Sequence, residues 1–246
     1  MALAMLGCWP VQAEEAQALT VAKIISGDEF WLSDGRDVHL QGIKAPAADT
    51  PELEKQARDK LQELTKDRPL LLSNSVIDRY GRSNAQVYVV SESHLKTGLQ
   101  IEMLKAGLAF VYPPVGNEPD LADMQITEKQ ARLAKRGIWG NDAYADLPAV
   151  ENEDIRYGEF AFVSGKVTKA ERVKNKFYLN FGDDWRKDFT VAIAAHDLKF
   201  FRKQDIDPAD YEGKTIRVRG WVMRDFGPMI EVTSPAQIEI VAAGAK

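Results

Sequence analysis

Positively charged and aromatic side chains alternate with apolar ones in one segment near the end of the chain. In residues 215–222, Arg217, Arg219 and Trp221 occupy every second position. Because successive side chains of a strand point to opposite faces, the pattern predicts a strand with one buried face and one face that offers two guanidiniums and an indole. Guanidiniums bind phosphate and aromatic rings stack on bases. This face is therefore predicted to bind nucleic acid, with a solvated sheet face as the alternative.

Carboxylates that could bind a metal or act as a base stand at two places in the first half of the chain. Asp28 follows a glycine, and Asp49 and Glu52 belong to the string Asp-Thr-Pro-Glu over residues 49–52. That string has the residues that begin helices, namely a capping residue, a proline in the first turn and an early carboxylate. It predicts the start of a helix.

Short strands and a few helices must position these groups. After residue 52, Leu53, Ala57, Leu61 and Leu64 recur at helical spacing. Residues 19–140 predict three strands, a helix, two strands and two helices. The strands are expected over 19–25, 29–33, 37–43, 70–77 and 85–90, and the helices over 49–67, about 99–106 and about 120–136.

A second β-rich region follows an acidic segment that shows no sustained periodicity. Residues 141–155 carry Pro148 and are predicted to be a linker. Residues 156–246 predict five strands with a helix between the third and the fourth, which is the element order of an OB-type barrel. These strands are expected over 159–168, 176–181, 189–194, 215–223 and 229–233, and the helix over 196–203.

Five short segments of the first region occur in the order and with the spacing of a known family. They are Ile-Ser-Gly-Asp at 25–28, Val-His-Leu-Gln-Gly-Ile-Lys-Ala-Pro at 38–46, Asp-Arg-Tyr-Gly-Arg at 78–82, Lys-Ala-Gly-Leu-Ala at 105–109 and Arg-Gly-Ile-Trp at 136–139. On these segments, residues 19–140 resemble the staphylococcal nuclease (thermonuclease) family. The resemblance implies an SNase-like OB barrel with three helices. With the second small OB-type β-barrel, the chain is expected to be mainly β with α, an α+β fold.

The resemblance also implies a site that cleaves phosphodiesters. In the family, carboxylates hold a calcium ion, two arginines neutralise the charge that develops on the phosphate, and a glutamate assists the attacking water. Asp28 matches the first metal carboxylate and Arg82 the second arginine. His39, Lys44 and Ala47 stand at the positions of the first arginine, the second metal carboxylate and the glutamate.

These departures change what the site is expected to bind. A hard cation such as Ca²⁺ needs several oxygen donors, and Asp28 alone cannot supply them, so no cofactor is expected. One carboxylate beside Lys44 and Arg82 leaves a positive charge, which favours a phosphate without metal. Tyr112 matches the region where the family stacks aromatic rings on a base, with structural packing as the alternative.

A displaced loop is the other interpretation of the site. The string at residues 49–52 repeats the family's Asp-Thr-Pro-Glu five residues late. A looped-out insertion could return Asp49 as a metal ligand and Glu52 as the base, and Ca²⁺ would then be the cofactor of an active enzyme. A helix cap remains the alternative.

Residues 1–18 predict a remnant of an export signal. An apolar run ends in small residues before Glu14, as at the end of a secretory signal with cleavage after Ala13, and the run is too short to span a bilayer. Cys8, the one cysteine, is either a lipid-attachment site or a small apolar residue of the signal. The net charge of −5 excludes a general basic coat, so any polynucleotide site must be local.

Three functions remain open at this point. The first is a periplasmic or secreted protein with a degenerate site, a pseudoenzyme that binds single-stranded nucleic acid or another polyanion with weak or no cleavage. The second is an active calcium-dependent nuclease that uses Asp49 and Glu52. The third is an envelope adaptor that binds a protein partner, because a fold alone does not establish activity.

Overall fold

The computed structural model describes residues 19–91, 96–112, 120–150, 153–184 and 186–241. The predictions for Cys8 and Ala13 lie outside these ranges. Within them, no helix is both long enough and apolar enough to cross a membrane.

The first module is a six-stranded sheet with three helices. Its elements are β1 (Val21–Ile24), β2 (Glu29–Leu32), β3 (Asp37–Leu40), β4 (Ile43–Lys44), α1 (Pro51–Thr65), β5 (Leu70–Ile77), β6 (Ser83–Val90), β7 (Lys96–Gly98), α2 (Leu99–Lys105), β8 (Phe110–Val111) and α3 (Leu121–Leu133). The sheet order is β1-β2-β3-β6-β5, with β7 on β6. The two ends of this order meet where Leu19 forms an antiparallel bridge to Leu70.

The helices pack on this sheet through the apolar positions that the sequence repeats. Leu53, Ala57 and Leu61 of α1 are buried, and the last two join the core formed around Phe30 and Leu40. The predicted helix start is confirmed at Pro51, but Thr50 caps the helix without a side-chain hydrogen bond. Packing of the apolar stripe therefore supports α1 more than its cap does.

One predicted strand is broken in two, and the break positions the site. Residues 37–43 were expected to be continuous, but Gly42 has a φ of 81°, a left-handed conformation that glycine adopts without a side-chain penalty. The chain leaves the sheet there, and Ile43–Lys44 pairs with Phe110–Val111 in a separate two-stranded ribbon. The expected uninterrupted strand is therefore wrong at its end.

The second module is an eight-stranded sheet with one helix. Its elements are β9 (Asp146–Pro148), β10 (Phe160–Lys166), β11 (Lys169–Val173), β12 (Lys176–Asn180), β13 (Thr190–Ala194), α4 (Leu198–Arg202), β14 (Thr215–Asp225), β15 (Gly227–Glu231) and β16 (Ile238–Ile240). The order is β11-β12-β13-β15-β14-β10-β9, with β16 on β14. The five expected strands and their helix are present, and β9, β11 and β16 lie outside the five expected ranges.

The predicted linker is partly ordered structure of the second module. Residues 146–148 form β9, which runs parallel to Phe162–Ser164 of β10. A strand of three residues is too short to show an alternating pattern, so periodicity could not identify it. The whole fold is mainly β with α, as expected.

Aromatic packing joins the two modules. Phe110 of the ribbon stacks on Phe160 of β10 with ring centroids 4.9 Å apart and meets Phe162 edge-on at 5.4 Å. Leu53, Phe110, Ile138 and Phe162 form a buried cluster of their own, separate from the two module cores. We call this contact between the modules the seam.

Candidate nucleic-acid interface

A cleft of about 500 Å³ opens beside the β4–β8 ribbon. Both cations of the predicted site line it, as do the two aromatic residues that were expected to stack on bases. Its lining includes His39, Lys44, Asp78, Arg82, Tyr112 and Trp221. Of the site residues that the sequence indicated, the fold therefore brings His39, Lys44, Arg82, Tyr112 and Trp221 together in this cleft.

Asp28 lies beneath the cleft and is only 5% exposed. Ser26 Oγ donates to its Oδ1 at 2.6 Å, and the backbone N–H of Ala45 donates to its Oδ2 at 3.1 Å. Burial alone would raise the pKa of Asp28, but His39, Ser26 and the charge of Lys44 outweigh it and lower the pKa of this carboxyl. Asp28 is thus a buried anion that already has hydrogen-bond donors on both oxygens.

Close packing holds the Asp28 loop against α1. A Cβ on Gly27 would lie 2.5 Å from the Cβ of Ala57 and 2.7 Å from that of Ala45. Real Cβ atoms do not approach so closely, so only glycine allows the loop to approach the helix. The sequence carries this requirement as the Gly-Asp pair of residues 27 and 28.

His39 points one ring nitrogen at Asp28. Its Nε2 lies 3.4 Å from Asp28 Oδ2, and its Nδ1 is buried without a hydrogen-bond partner. Because Nε2 faces the buried carboxylate, this nitrogen is directed away from a ligand in the cleft. His39 therefore supports Asp28 more directly than it could support a ligand.

Lys44 stands in the cleft on β4, which the break at Gly42 turns away from β3. Its position is fixed by pairing with Phe110. Asp28 and Lys44 interact through their charges, but no carboxylate within the described ranges forms an ion pair with the Lys44 ammonium. The ammonium can therefore bind an anionic ligand without first breaking a salt bridge.

Arg82 is held by two carboxylates. Its Nε donates to Asp78 Oδ2 at 2.9 Å and its Nη1 to Glu29 Oε2 at 3.0 Å. The N–H groups of Tyr80 and Arg82 also donate to Asp78. Burial alone would raise the pKa of Asp78, but these donors and the Arg82 guanidinium lower it to about 2.

This pairing corrects the predicted charge of the site. The sequence indicated one carboxylate against two cations, but Glu29 and Asp78 add two negative charges next to Arg82. Asp28, Glu29 and Asp78 carry three negative charges against the two positive charges of Lys44 and Arg82, so these five groups have a net charge of −1. The attraction for a phosphate must therefore come from Lys44 locally and from Arg82 if the phosphate displaces Glu29.

Comparisons with known proteins agree with this geometry. The family model described as Staphylococcal nuclease homologue matches residues 37–141. Micrococcal nuclease of Shigella flexneri is 30% identical over 129 residues, which cover 49% of this chain and 72% of that protein. The chain belongs to the staphylococcal nuclease homologue family.

A second relative is an uncharacterized 38.1 kDa protein of Capnoides sempervirens. It is 31% identical over 121 residues, which cover 48% of this chain and 33% of that protein. The chain thus spans about a third of the length of this relative. The family model ends at residue 141, before the strands of the second module begin.

The residues at the family's metal position do not suit a calcium ion. Calcium is coordinated by six to eight oxygens, but Asp28 is buried and each of its oxygens already accepts a hydrogen bond. The family resemblance sets Lys44, a cation, at the position where a second carboxylate is expected. Ala47 is exposed and has no functional group. Within the described ranges, no three His, Cys, Asp or Glu residues are arranged to hold a metal.

The displaced-loop alternative places its carboxylates away from the cleft. Glu52 lies on the exposed first turn of α1, where it accepts a 3.3 Å hydrogen bond from Gln56. Asp49 is exposed and lies near Tyr144, where burial together with the charge of Asp49 raises the pKa of the phenol. Neither residue lines the cleft. The string therefore lies at the start of α1, and its carboxylates are not among the described residues that line the cleft.

The structure also corrects the predicted open face on β14. Arg219 is 5% exposed and makes two 2.7 Å hydrogen bonds to Glu128 of α3. Arg217 binds Asp146 and Glu239 at 3.2 Å. Arg219 is therefore in the seam, because α3 covers this part of the strand, and both guanidiniums are paired with carboxylates.

Trp221 differs from these arginines because it stays 47% exposed. Its Nε1 donates to the hydroxyl of Tyr112 at 3.0 Å, and both residues line the cleft.

Sequence reasoning missed Glu29, Asp78 and Glu128. Glu128 could have been noticed because it interrupts the apolar stripe of α3 between Met124 and Ala131, both buried.

Proposed function

We propose that this chain binds single-stranded nucleic acid in the cleft through phosphate contacts and does not cleave it in a calcium-dependent reaction. The observation that carries the proposal is Lys44. Its side chain lines the cleft, interacts by charge with the buried Asp28 and forms no ion pair with a described carboxylate. The family resemblance expects a metal-binding carboxylate at this position.

The charges around the cleft favour one local phosphate contact over a broad basic surface. Lys44 is available, whereas Arg82 can contribute only after its Nη1 exchanges Glu29 for a phosphate oxygen. Such an exchange replaces one charge-assisted hydrogen bond by another of similar strength. Binding is therefore expected to be modest and to weaken as salt rises, because phosphate contacts release counterions.

Hydrolysis would need a base that the described residues at the family's glutamate positions do not supply. A base near the attacking water and a cation at the non-bridging oxygens supply most of the stabilisation of a phosphoryl transition state. Ala47 has no titratable group, and Glu52 is hydrogen-bonded to Gln56 on the outside of α1. Calcium-dependent cleavage remains the competing outcome, because the relative in Shigella flexneri is named a micrococcal nuclease.

The test is equilibrium binding of a labelled oligothymidylate in chelator over a series of salt concentrations. Lys44→Gln should weaken binding and reduce the slope of log affinity against log salt by about 1, as expected for one lost phosphate contact. Lys66→Gln is the matched control, because Lys66 is exposed at the end of α1, outside the cleft.

Two results would contradict the proposal. One is equal affinity of the Lys44 and Lys66 variants, which would remove Lys44 from the interface. The other is binding by the wild type only when calcium is present, which would require a metal site.

We also propose that the protein acts in the periplasm or outside the cell. The apolar run before Glu14 supports this part of the proposal. Fractionation of cells that express the full chain, followed by N-terminal sequencing, tests it. A mature chain that begins at Glu14 is expected, and an uncleaved cytoplasmic chain would contradict it.

A further inference from the structure

One residue of the second module reaches the nuclease-type cleft. Among the described residues, Trp221 of β14 is the only part of that module that lines it, and the other lining residues belong to the first module. The cleft is therefore completed by a side chain outside the segment that matches the family model, which ends at residue 141.

Three contacts fix the Trp221 indole at the cleft. Antiparallel pairing places Trp221 opposite Phe160, and the two rings meet edge to face with centroids 5.9 Å apart. The indole N–H donates to the Tyr112 hydroxyl at 3.0 Å, and Phe160 also packs against Tyr112 at 5.6 Å. The only polar atom of the side chain is thus satisfied, while 47% of the residue remains open.

The indole lies close to the available cation of the cleft. Lys44 pairs with Phe110, and the N–H of Tyr112 donates to Gly42 O on the same ribbon. Because side chains alternate along each strand, Lys44 and Tyr112 share one face as diagonal neighbours, with backbones roughly 7–8 Å apart. Trp221, bonded to Tyr112, therefore offers an aromatic surface beside an ammonium.

We propose that Trp221 stacks on an unpaired base of the strand whose phosphate contacts Lys44. This inference rests on the proposed function and adds a role for the second module, which is to select single-stranded nucleic acid over polyanions without bases. Stacking needs a base whose face is free, and the bases of a duplex are already stacked on each other. The fixed orientation of the indole reduces the entropy lost when a base packs on it.

The experiment compares two probes, a labelled oligothymidylate and inorganic polyphosphate, both in chelator. Trp221→Ala should lower the affinity for oligothymidylate about 10-fold and leave the affinity for polyphosphate unchanged. Trp221→Phe keeps a ring and should recover most of the lost affinity. Trp31→Ala is the matched control, because Trp31 is 46% exposed on the first module and lies outside the cleft.

A purely structural role of Trp221 gives a different pattern. If the residue only stabilises the seam, Trp221→Ala lowers the melting temperature and the affinities for both probes together. That result overturns the inference. Tryptophan fluorescence offers a second measurement if the alanine variant does not fold. Oligothymidylate should quench the tryptophan fluorescence of the wild type and of Trp31→Phe to a similar extent, and that of Trp221→Phe clearly less. Equal quenching of all three proteins overturns the inference.

The outcomes also separate this inference from the proposed function. If Trp221→Ala binds both probes as the wild type does, the stacking role is wrong while phosphate binding stands. If the wild type binds neither probe, the proposed function fails and the stacking role fails with it.

Discussion

Arg82 in the cleft and Arg219 in the seam are both paired with carboxylates, yet their surroundings differ. The Arg82 side chain is 29% exposed and shares its donors between Asp78 and Glu29. The Arg219 side chain is 6% exposed, and two of its nitrogens donate to the buried carboxylate of Glu128. A partly open pair can exchange one carboxylate for a ligand oxygen, whereas a buried pair cannot do so without leaving a charge unpaired. Exposure therefore decides which arginine is available for binding.

The largest expected effect belongs to the seam. Arg219→Met leaves Glu128 buried without its two-point partner and should lower the free energy of unfolding by about 3–5 kcal/mol. Urea unfolding of the full chain measures this. Arg224→Met, on the exposed part of the same strand, is the control and should change stability by less than about 0.5 kcal/mol.

A companion variant sharpens the interpretation of the seam. Adding Glu128→Gln to Arg219→Met removes the buried charge that has lost its two-point partner and should recover part of the loss. Equal destabilisation by the Arg219 and Arg224 variants would contradict a buried pair, and the distinction between the two arginines would then disappear.

Asp28 is expected to contribute to folding stability, as the buried pair of the seam does, although it lies under the cleft. Asp28→Asn offers fewer acceptors to Ser26 and Ala45 and should cost about 1–3 kcal/mol of stability. Asp59→Asn, on the exposed face of α1, is the matched control. Calcium should not raise the melting temperature of the wild type, and a calcium-dependent rise that Asp28→Asn abolishes would make Asp28 a metal ligand.

Glu29 is expected to compete with phosphate for Arg82. Glu29→Gln removes the charge that binds Nη1 of Arg82 and should raise the affinity for oligothymidylate several-fold, equivalent to about 1 kcal/mol for one partly exposed charge pair. Fluorescence anisotropy at low salt measures the change. Glu63→Gln on α1 serves as the control, and a fall in affinity for Glu29→Gln would mean that Arg82 does not receive the phosphate.

The smallest expected effect is a loss of folding stability at low pH. Burial alone would raise the pKa of Glu239, but Arg132 and Arg217 lower it from its ordinary value of 4.5. A carboxyl whose pKa is lower in the folded state stabilises the protein above the unfolded pKa, and that stability is lost as the pH falls through the folded value. Stability should therefore decrease below about pH 4.5, and further towards about 2 as Asp78 is protonated.

The matched variants are Glu239→Gln and Glu153→Gln, measured by thermal unfolding at several pH values. Glu239→Gln should make the loss of stability below pH 4.5 shallower, whereas Glu153→Gln should follow the wild type. Parallel pH curves for all three proteins would contradict the role of Glu239 in the seam.

Local patterns predicted the elements that depend on near neighbours in the sequence. Helix α1 follows from Leu53, Ala57 and Leu61, whose spacing buries one face whatever lies opposite. The cleft residues could be placed through short family segments that keep their order, such as the corner that ends at Arg82. These predictions needed no knowledge of how the modules meet.

The seam could not be predicted because its partners are distant in the sequence. Glu128 lies 91 residues before Arg219, and Arg132 lies 107 residues before Glu239. An alternating strand looks the same whether its polar face meets water or a buried carboxylate on another module. The predicted charge of the cleft was wrong for a related reason. Glu29, which binds Arg82, lies 53 residues away from it in the sequence.

The most direct measurement is cleavage of labelled single-stranded DNA by the full chain, with calcium or with chelator, scored for bound and for cut material. The account predicts the same bound fraction in both conditions and no calcium-dependent cutting. Cutting that requires calcium and is lost in Glu52→Ala would contradict it, because the base would then come from the first turn of α1, which does not line the cleft.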